Sequence, residues 1–227
     1  MNSRYEVLSY AINAATPMYS TAPKPVFTPY SQIIKKDTSN TFVISMHNHT
    51  GTHIDAPKHF VNDGKSISDY SIDELIFENP IIVDCPKNSA ELITPDDFSY
   101  VLHQLQICDC LLLHTGYGKF RNEEKYRTHN PGIAPETILW IRKDYPNIRC
   151  IGIDSISISS FQHRNEGREA HKIAFTKSEG FGEPLLFIED IKLDMISGES
   201  IEKIFIIPWQ IDGIDSAPCN VIAIIKS

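Results

Sequence analysis

Short apolar runs rich in Ile and Val recur along the chain, at residues 41–46, 80–84, 110–114, 150–154, 185–188, 204–207 and 221–225. Each is the length of a strand, and near-continuous apolarity predicts strands covered on both faces. Helical patterns are fewer. Thr94-Pro95-Asp96-Asp97-Phe98 combines an N-cap Thr, a Pro at the first helical position and acids in the first turn, which predicts a helix running to about Gln104. Ala134-Pro135-Glu136-Thr137 repeats the signal. A third helix is expected over 166–175 and a short one over 72–76. Strands interleaved with fewer helices predict an α/β fold, a single domain with a mixed β-sheet spanning residues 1–227. Residues 14–40, rich in Pro, Ser and Thr without a period, read as an irregular segment that covers a site.

The formal charge is −8, with no dense block of Lys and Arg. That balance argues against nucleic acid and anionic membrane as partners. The opening Met1-Asn2-Ser3-Arg4-Tyr5-Glu6 has no apolar signal core, and no apolar run approaches the ~20 residues that span a bilayer. A cytoplasmic location is the expectation. Five cysteines, Cys85, Cys108, Cys110, Cys150 and Cys219, then read as free thiols. Strand alternation would put Cys108 and Cys110 on one face, as buried strand residues.

Four of the nine histidines, His47, His49, His53 and His59, fall within thirteen residues, with Asp55 among them. Imidazole and carboxylate are the usual ligands of Zn²⁺, Mn²⁺ and related divalent ions. A strand running into a turn can aim His49, His53 and Asp55 at one point. Gly51 permits close backbone approach there, and Pro57 fixes the chain just before His59. A carboxylate has two oxygens, so Asp55 can also bridge a second ion, as two-metal sites require. His47 is expected on the same strand face as His49, in a supporting role. Asp154 and Ser155, at a strand end, stand either at the edge of the site or in a turn.

The run His49-x-Gly51-Thr52-His53-x-Asp55-x-Pro57-x-His59 resembles, at every fixed position, the signature HxGTHxDxPxH of the cyclase-like metal-dependent hydrolases. Bacterial kynurenine formamidases (arylformamidases) and isatin hydrolases belong to that family. The likeness continues in Thr16-Pro17-Met18-Tyr19, Leu113-His114-Thr115-Gly116, Ile153-Asp154-Ser155-Ile156-Ser157, Gly167-Arg168-Glu169-Ala170-His171, Ile188-Glu189-Asp190-Ile191-Lys192-Leu193 and the segment 211–218.

The resemblance implies a swivelling β/β/α architecture and a homodimer or higher homo-oligomer. It implies His49, His53 and Asp55 as ligands of one divalent metal, with Asp55 bridging to a second held by His171 and a later Glu. Glu189 and Glu183 compete for that place; Glu189 ends an apolar strand and is followed by Asp-Ile-Lys-Leu, as the family's Glu is. His163 competes with His171, which has the family's helical context. His59 would be the general acid/base, since imidazole exchanges protons near neutral pH. Tyr19 would bind substrate, standing where kynurenine formamidases place a Trp.

The implied activity is hydrolysis of a C–N amide bond, arylformamidase-like, on N-formylkynurenine or a related small aromatic amide by a metal-activated water. The ions would be two per subunit, Zn or Mn, with Fe²⁺ equally compatible with the donors. The alternatives are a cyclase, lactone hydrolase or dehydratase acting on another small carbonyl compound, and a metal-binding protein without catalysis.

Overall fold

The computed structural model describes residues 4–226. Nearly all the apolar runs become strands of one nine-stranded mixed sheet. Pro80–Asp84, Cys110–His114, Cys150–Ile153 and Leu186–Glu189 lie parallel to one another. The sheet continues antiparallel through His53–Asp55, Ser216–Ile225, Ile201–Pro208 and Ile76–Phe77, while Arg4–Val7 pairs with Ser216–Ile225.

Alternation sends each strand's side chains into two cores. Cys110 and Leu112 enter one, and Leu111 and Leu113 enter the other. The antiparallel half curls over to close the first core, bringing Phe77, Ile204 and Val221 against Leu112 and Ile188. The helices Pro135–Asp144 and Arg164–Phe175 cover the second through Ile138, Ile141, Ala170, Ala174 and Phe175. The fold is thus a single-domain α/β structure, and its central strands read as continuous apolar runs because both faces are dry.

Several sequence expectations need correction. The run at 41–46 does form a strand, Thr41–Ser45, but every residue of it is exposed. It pairs only with Val26–Ser31, in a two-stranded ribbon that stands off the main sheet. Residues 14–40 are therefore not wholly irregular, since their second half supplies the other strand of that ribbon. Cys108 and Cys110 are both buried, but on opposite sides of the sheet. Cys108 precedes the strand and so escapes its alternation. The helix expected from Thr94 starts as foreseen, with Thr94 and Asp97 in a capping box, but breaks into a 3-10 turn at Pro95–Phe98 and one helical turn at Leu102–Leu105. The short element expected over 72–76 is likewise a 3-10 turn, Ile72–Leu75.

Two features of this frame position the site. In the antiparallel pairing of His53–Asp55 with Leu186–Glu189, His53 stands opposite Glu189 and Ile54 opposite Ile188. Directly opposed residues share a face. Ile54 and Ile188 go into the first core, so His53, Asp55 and Glu189 face the Arg164–Phe175 helix. That helix in turn lies close over the loop before it. A Cβ on Gly167 would sit 2.5 Å from Ser159 Cβ and 2.9 Å from its Cα, so any larger residue would push the helix away. No helix among the described residues is long and apolar enough to cross a membrane.

Candidate metal centre

The sheet and helix bring His49, His53, Asp55, His59, His171 and Glu189 to the wall of one cleft of about 560 Å³. Tyr19 lies on the same wall, edge-on to Phe161 with ring centroids 6.0 Å apart. Glu183, by contrast, is exposed and pairs with Lys177 away from the cleft. His163 precedes the helix and is not among the cleft residues.

Asp55 lies at the centre and is 1% exposed. Its Oδ1 is 3.1 Å from His49 Nδ1 and 3.4 Å from His53 Nε2, which is itself 3.4 Å from Glu189 Oε2. His49 and His59 group with Asp55, and His53 and Glu189 group with it on the other side, so Asp55 is common to both sets. His171 Nε2 is 3.9 Å from Glu189 Oε1.

The imidazoles share a design. His53 Nδ1 donates to Gly51 O at 2.8 Å, and His171 Nδ1 donates to Gly167 O at 2.8 Å. A carbonyl only accepts, so each ring carries a proton on Nδ1 and turns Nε2 toward the carboxylates. Gly51 supplies its carbonyl from a left-handed backbone, φ +64°, where a side chain would meet Ile12 at 3.1 Å. Glu189 Oε1 is held by Ser157 Oγ and the Ile158 amide, both at 2.9 Å, which leaves Oε2 to face His53.

Asp215 has no role in the sequence reading, yet it organises two of these rings. Its Oδ2 lies 3.0 Å from His49 Nε2 and 2.7 Å from His59 Nδ1, and its Oδ1 accepts from Asn48 Nδ2 at 2.8 Å. It sits in the segment 211–218 that resembles the family's terminal loop, the only sequence signal that touches it. His47 is also placed differently from expectation. It lies in the loop after Thr41–Ser45 rather than on a strand face, and its Nδ1 accepts the His49 amide at 3.2 Å. Asp154 takes the turn role: its carboxylate accepts from the Thr115 and Gly116 amides, outside the cleft.

The titrating groups respond to this crowding. Burial pulls the His49 pKa down, but Asp55 and Asp215 more than offset it and raise it to about 10. Burial also opposes charge on His53, and Asp55 and Glu189 again prevail and raise its pKa. Burial would lift the Asp55 carboxyl, yet His49 and His53 hold it well below the usual carboxylate range. His171, with burial dominant, is held neutral by a lowered pKa.

These residues fit a divalent cation. His53 Nε2 and Asp55 Oδ1 are buried and have no hydrogen-bond partner. Leaving such groups unpaired costs roughly 1–3 kcal/mol each. Two ligands about 2.1 Å from one tetrahedral ion stand about 3.4 Å apart, which matches the spacings of His53 Nε2 to Asp55 and to Glu189. A second group, His114 with Asp154 and Asp194, differs. Both ring nitrogens of His114 are engaged, by Asp84 at 2.6 Å and Asp194 at 3.1 Å, so the ring has no nitrogen free to ligate.

Residues 7–160 match the Cyclase family, described as "Putative cyclase", and the chain belongs to that family. It is 30% identical over 201 residues to an uncharacterized protein of Methanocaldococcus jannaschii, covering 87% of this chain and 90% of the other. It is 28% identical over 203 residues to a kynurenine formamidase of Bacillus cytotoxicus, covering 87% and 88%. In fold it is similar to isatin hydrolase A of Labrenzia aggregata, with TM-score 0.84 and 21% identity over 99% of this chain and 94% of that one.

The raised His49 pKa predicts a pH dependence for a cation bound through that ring. Below about pH 10 the metal-free protein carries a proton on His49 that a cation bound through this ring would displace. Affinity for Mn²⁺ should therefore rise between pH 6 and pH 8, with proton release visible by calorimetry in buffers of different ionisation enthalpy. Binding without proton release across that range would contradict the placement.

Proposed function

We propose that this chain is a metal-dependent hydrolase that cleaves the C–N bond of a small aromatic amide, arylformamidase-like in its reaction. The observation that carries the reading is the pair of buried, unpartnered donors, His53 Nε2 and Asp55 Oδ1, at the floor of a cleft flanked by an aromatic side chain. His49, His53 and Asp55 would hold one divalent cation, and His171 and Glu189 would hold a second with Asp55 shared. The relatedness to kynurenine formamidases supports the choice of bond.

A bound cation would supply water acidified toward neutral pH and polarisation of the substrate carbonyl. The remaining steps belong to the chain. Asp215 fixes His59 through Nδ1, so Nε2 is the nitrogen that exchanges a proton in the cleft. His59 would take the proton from the attacking water and return it to the departing aniline nitrogen. Tyr19 would stack on the substrate ring, with Phe161 supporting it from behind. The buried face of the helix keeps bulk water from His171 and Glu189.

A homodimer is part of the same proposal. An isolated two-stranded ribbon is marginal in water. Here it displays Tyr30, Phe42, Val43 and Ile44 to solvent, the first 80% exposed. Such a patch marks an interface. The ribbon leads within two residues to His47, so its partner would bear on the site.

The function is tested by assaying the metal-loaded protein on N-formylkynurenine. Formate release is expected, with His59→Ala lowering kcat by roughly 10²–10⁴ while metal content stays unchanged. No release from any formanilide would sink the arylformamidase reading, and full activity in His59→Ala would remove its assigned role. For the assembly, sedimentation should show a dimer that Phe42→Asp with Ile44→Asp converts to monomer. A wild-type monomer would refute it.

A further inference from the structure

His47 stands two residues ahead of the ligating run, in the loop between Thr41–Ser45 and His53–Asp55, and its ring lies on the cleft wall. The ring centroid is 5.4 Å from that of His49, almost as near as the 5.1 Å of His53. Proximity alone would make His47 one more ligand, but its hydrogen bonds exclude that. The His49 amide donates to its Nδ1 at 3.2 Å, and the Thr50 hydroxyl donates to its carbonyl oxygen. Ring and backbone are thus both tied to the two residues that follow the next one.

An amide N–H only donates, so the His47 Nδ1 accepts and carries no proton. The ring is therefore the neutral tautomer with its proton on Nε2. That is the reverse of His53 and His171, whose Nδ1 atoms donate to carbonyls. With one nitrogen held by the loop and the other protonated, His47 has no lone pair for a cation unless it gives up the bond that fixes His49. What it offers the cleft is an N–H. Among the described residues that Nε2 makes no hydrogen bond, and the ring is half-buried. His59 borders the same His49 ring at 4.4 Å, so a fixed donor and a proton carrier stand beside one ligand.

We propose that His47 gives its Nε2–H to the carbonyl oxygen of the scissile amide and holds that oxygen as it gains charge. This rests on the hydrolase reading above. Attack by water forms a new C–O bond and moves the carbonyl π pair onto the oxygen. Its return breaks the C–N bond, and the departing nitrogen takes the proton held by His59. A donor already aimed at that oxygen strengthens as the charge develops and needs no reorganisation at that moment. A neutral imidazole does this without adding positive charge to a site that must admit a cation.

Two substitutions separate the two ring nitrogens. Gln puts an N–H where Nε2 stands, whereas Asn keeps an acceptor where Nδ1 stands and lacks the outer donor. On the metal-loaded protein with formanilide, His47→Asn should lower kcat about 10- to 100-fold with KM and metal content unchanged. His47→Gln should recover most of that loss. Full activity in His47→Asn, or rescue by Asn and not by Gln, would overturn the proposal, as would loss of metal from either folded variant. Nitrogen-15 NMR of the metal-free protein with labelled histidine reads the tautomer apart from activity. The ring that disappears in His47→Gln should show a bare Nδ1 and a protonated Nε2, and the opposite tautomer would also overturn the proposal. If the wild type hydrolyses no anilide, the hydrolase reading fails on its own. The donor then stands if its Nε2–H resonance shifts on saturation with benzamide, which offers the same kind of oxygen, and falls if it does not.

Discussion

Asp55 is buried to 1% exposure with one oxygen lacking any hydrogen bond, and the surrounding structure is arranged to hold that charge. A carboxylate out of water is costly unless cations or donors surround it. Without a metal, the carboxylates beside His49 and His53 favour the protonated form of each ring and raise both pKa values. A divalent cation and those protons therefore compete for the same lone pairs. The same constraint explains Asp215, whose carboxylate is held below its ordinary range, against the effect of its own burial, by its bonds to His49 and His59.

Holding donors at such spacing takes support one layer out. Thr52, between Gly51 and His53, donates its hydroxyl to Asp190 O at 2.6 Å. Asp190 follows Glu189 directly and adopts a left-handed conformation, φ +53°, unusual for a side-chain-bearing residue. Arg121 grips its carboxylate through two nitrogens, at 2.8 and 2.6 Å, and Tyr126 donates to it at 2.6 Å. The strained residue is thus fixed from both ends, tying the His53 strand and the Glu189 strand to one buried ion pair. Sites that need sub-ångström placement are supported in this way.

How much of this could be read from the chain depends on range. The strands announced themselves because both faces of the parallel half are dry, so their composition is apolar without interruption. His49 to His59 was legible because its ligating types lie within one turn and one strand. Glu189 could be told from Glu183 by the apolar run that it ends, and the register with His53 accounts for the position. Asp215, Arg121 and Tyr126 left no local pattern. Their partners lie between 64 and 166 residues away in sequence, and only the sheet brings them together. The ribbon misled for a different reason: Thr41–Ser45 has the composition of a buried strand, and nothing among the described residues buries it.

A divalent cation seated between His53, Asp55 and their neighbours would satisfy the buried donors that the rest of the site is arranged to hold. Anomalous X-ray scattering from crystals of the protein as isolated, collected at the absorption edge of the metal identified by elemental analysis, addresses it most directly. An anomalous peak is expected within bonding distance of His53 Nε2 and Asp55 Oδ1. A protein that carries no divalent metal, or a peak at the His114 and Asp194 group with none at Asp55, would contradict it.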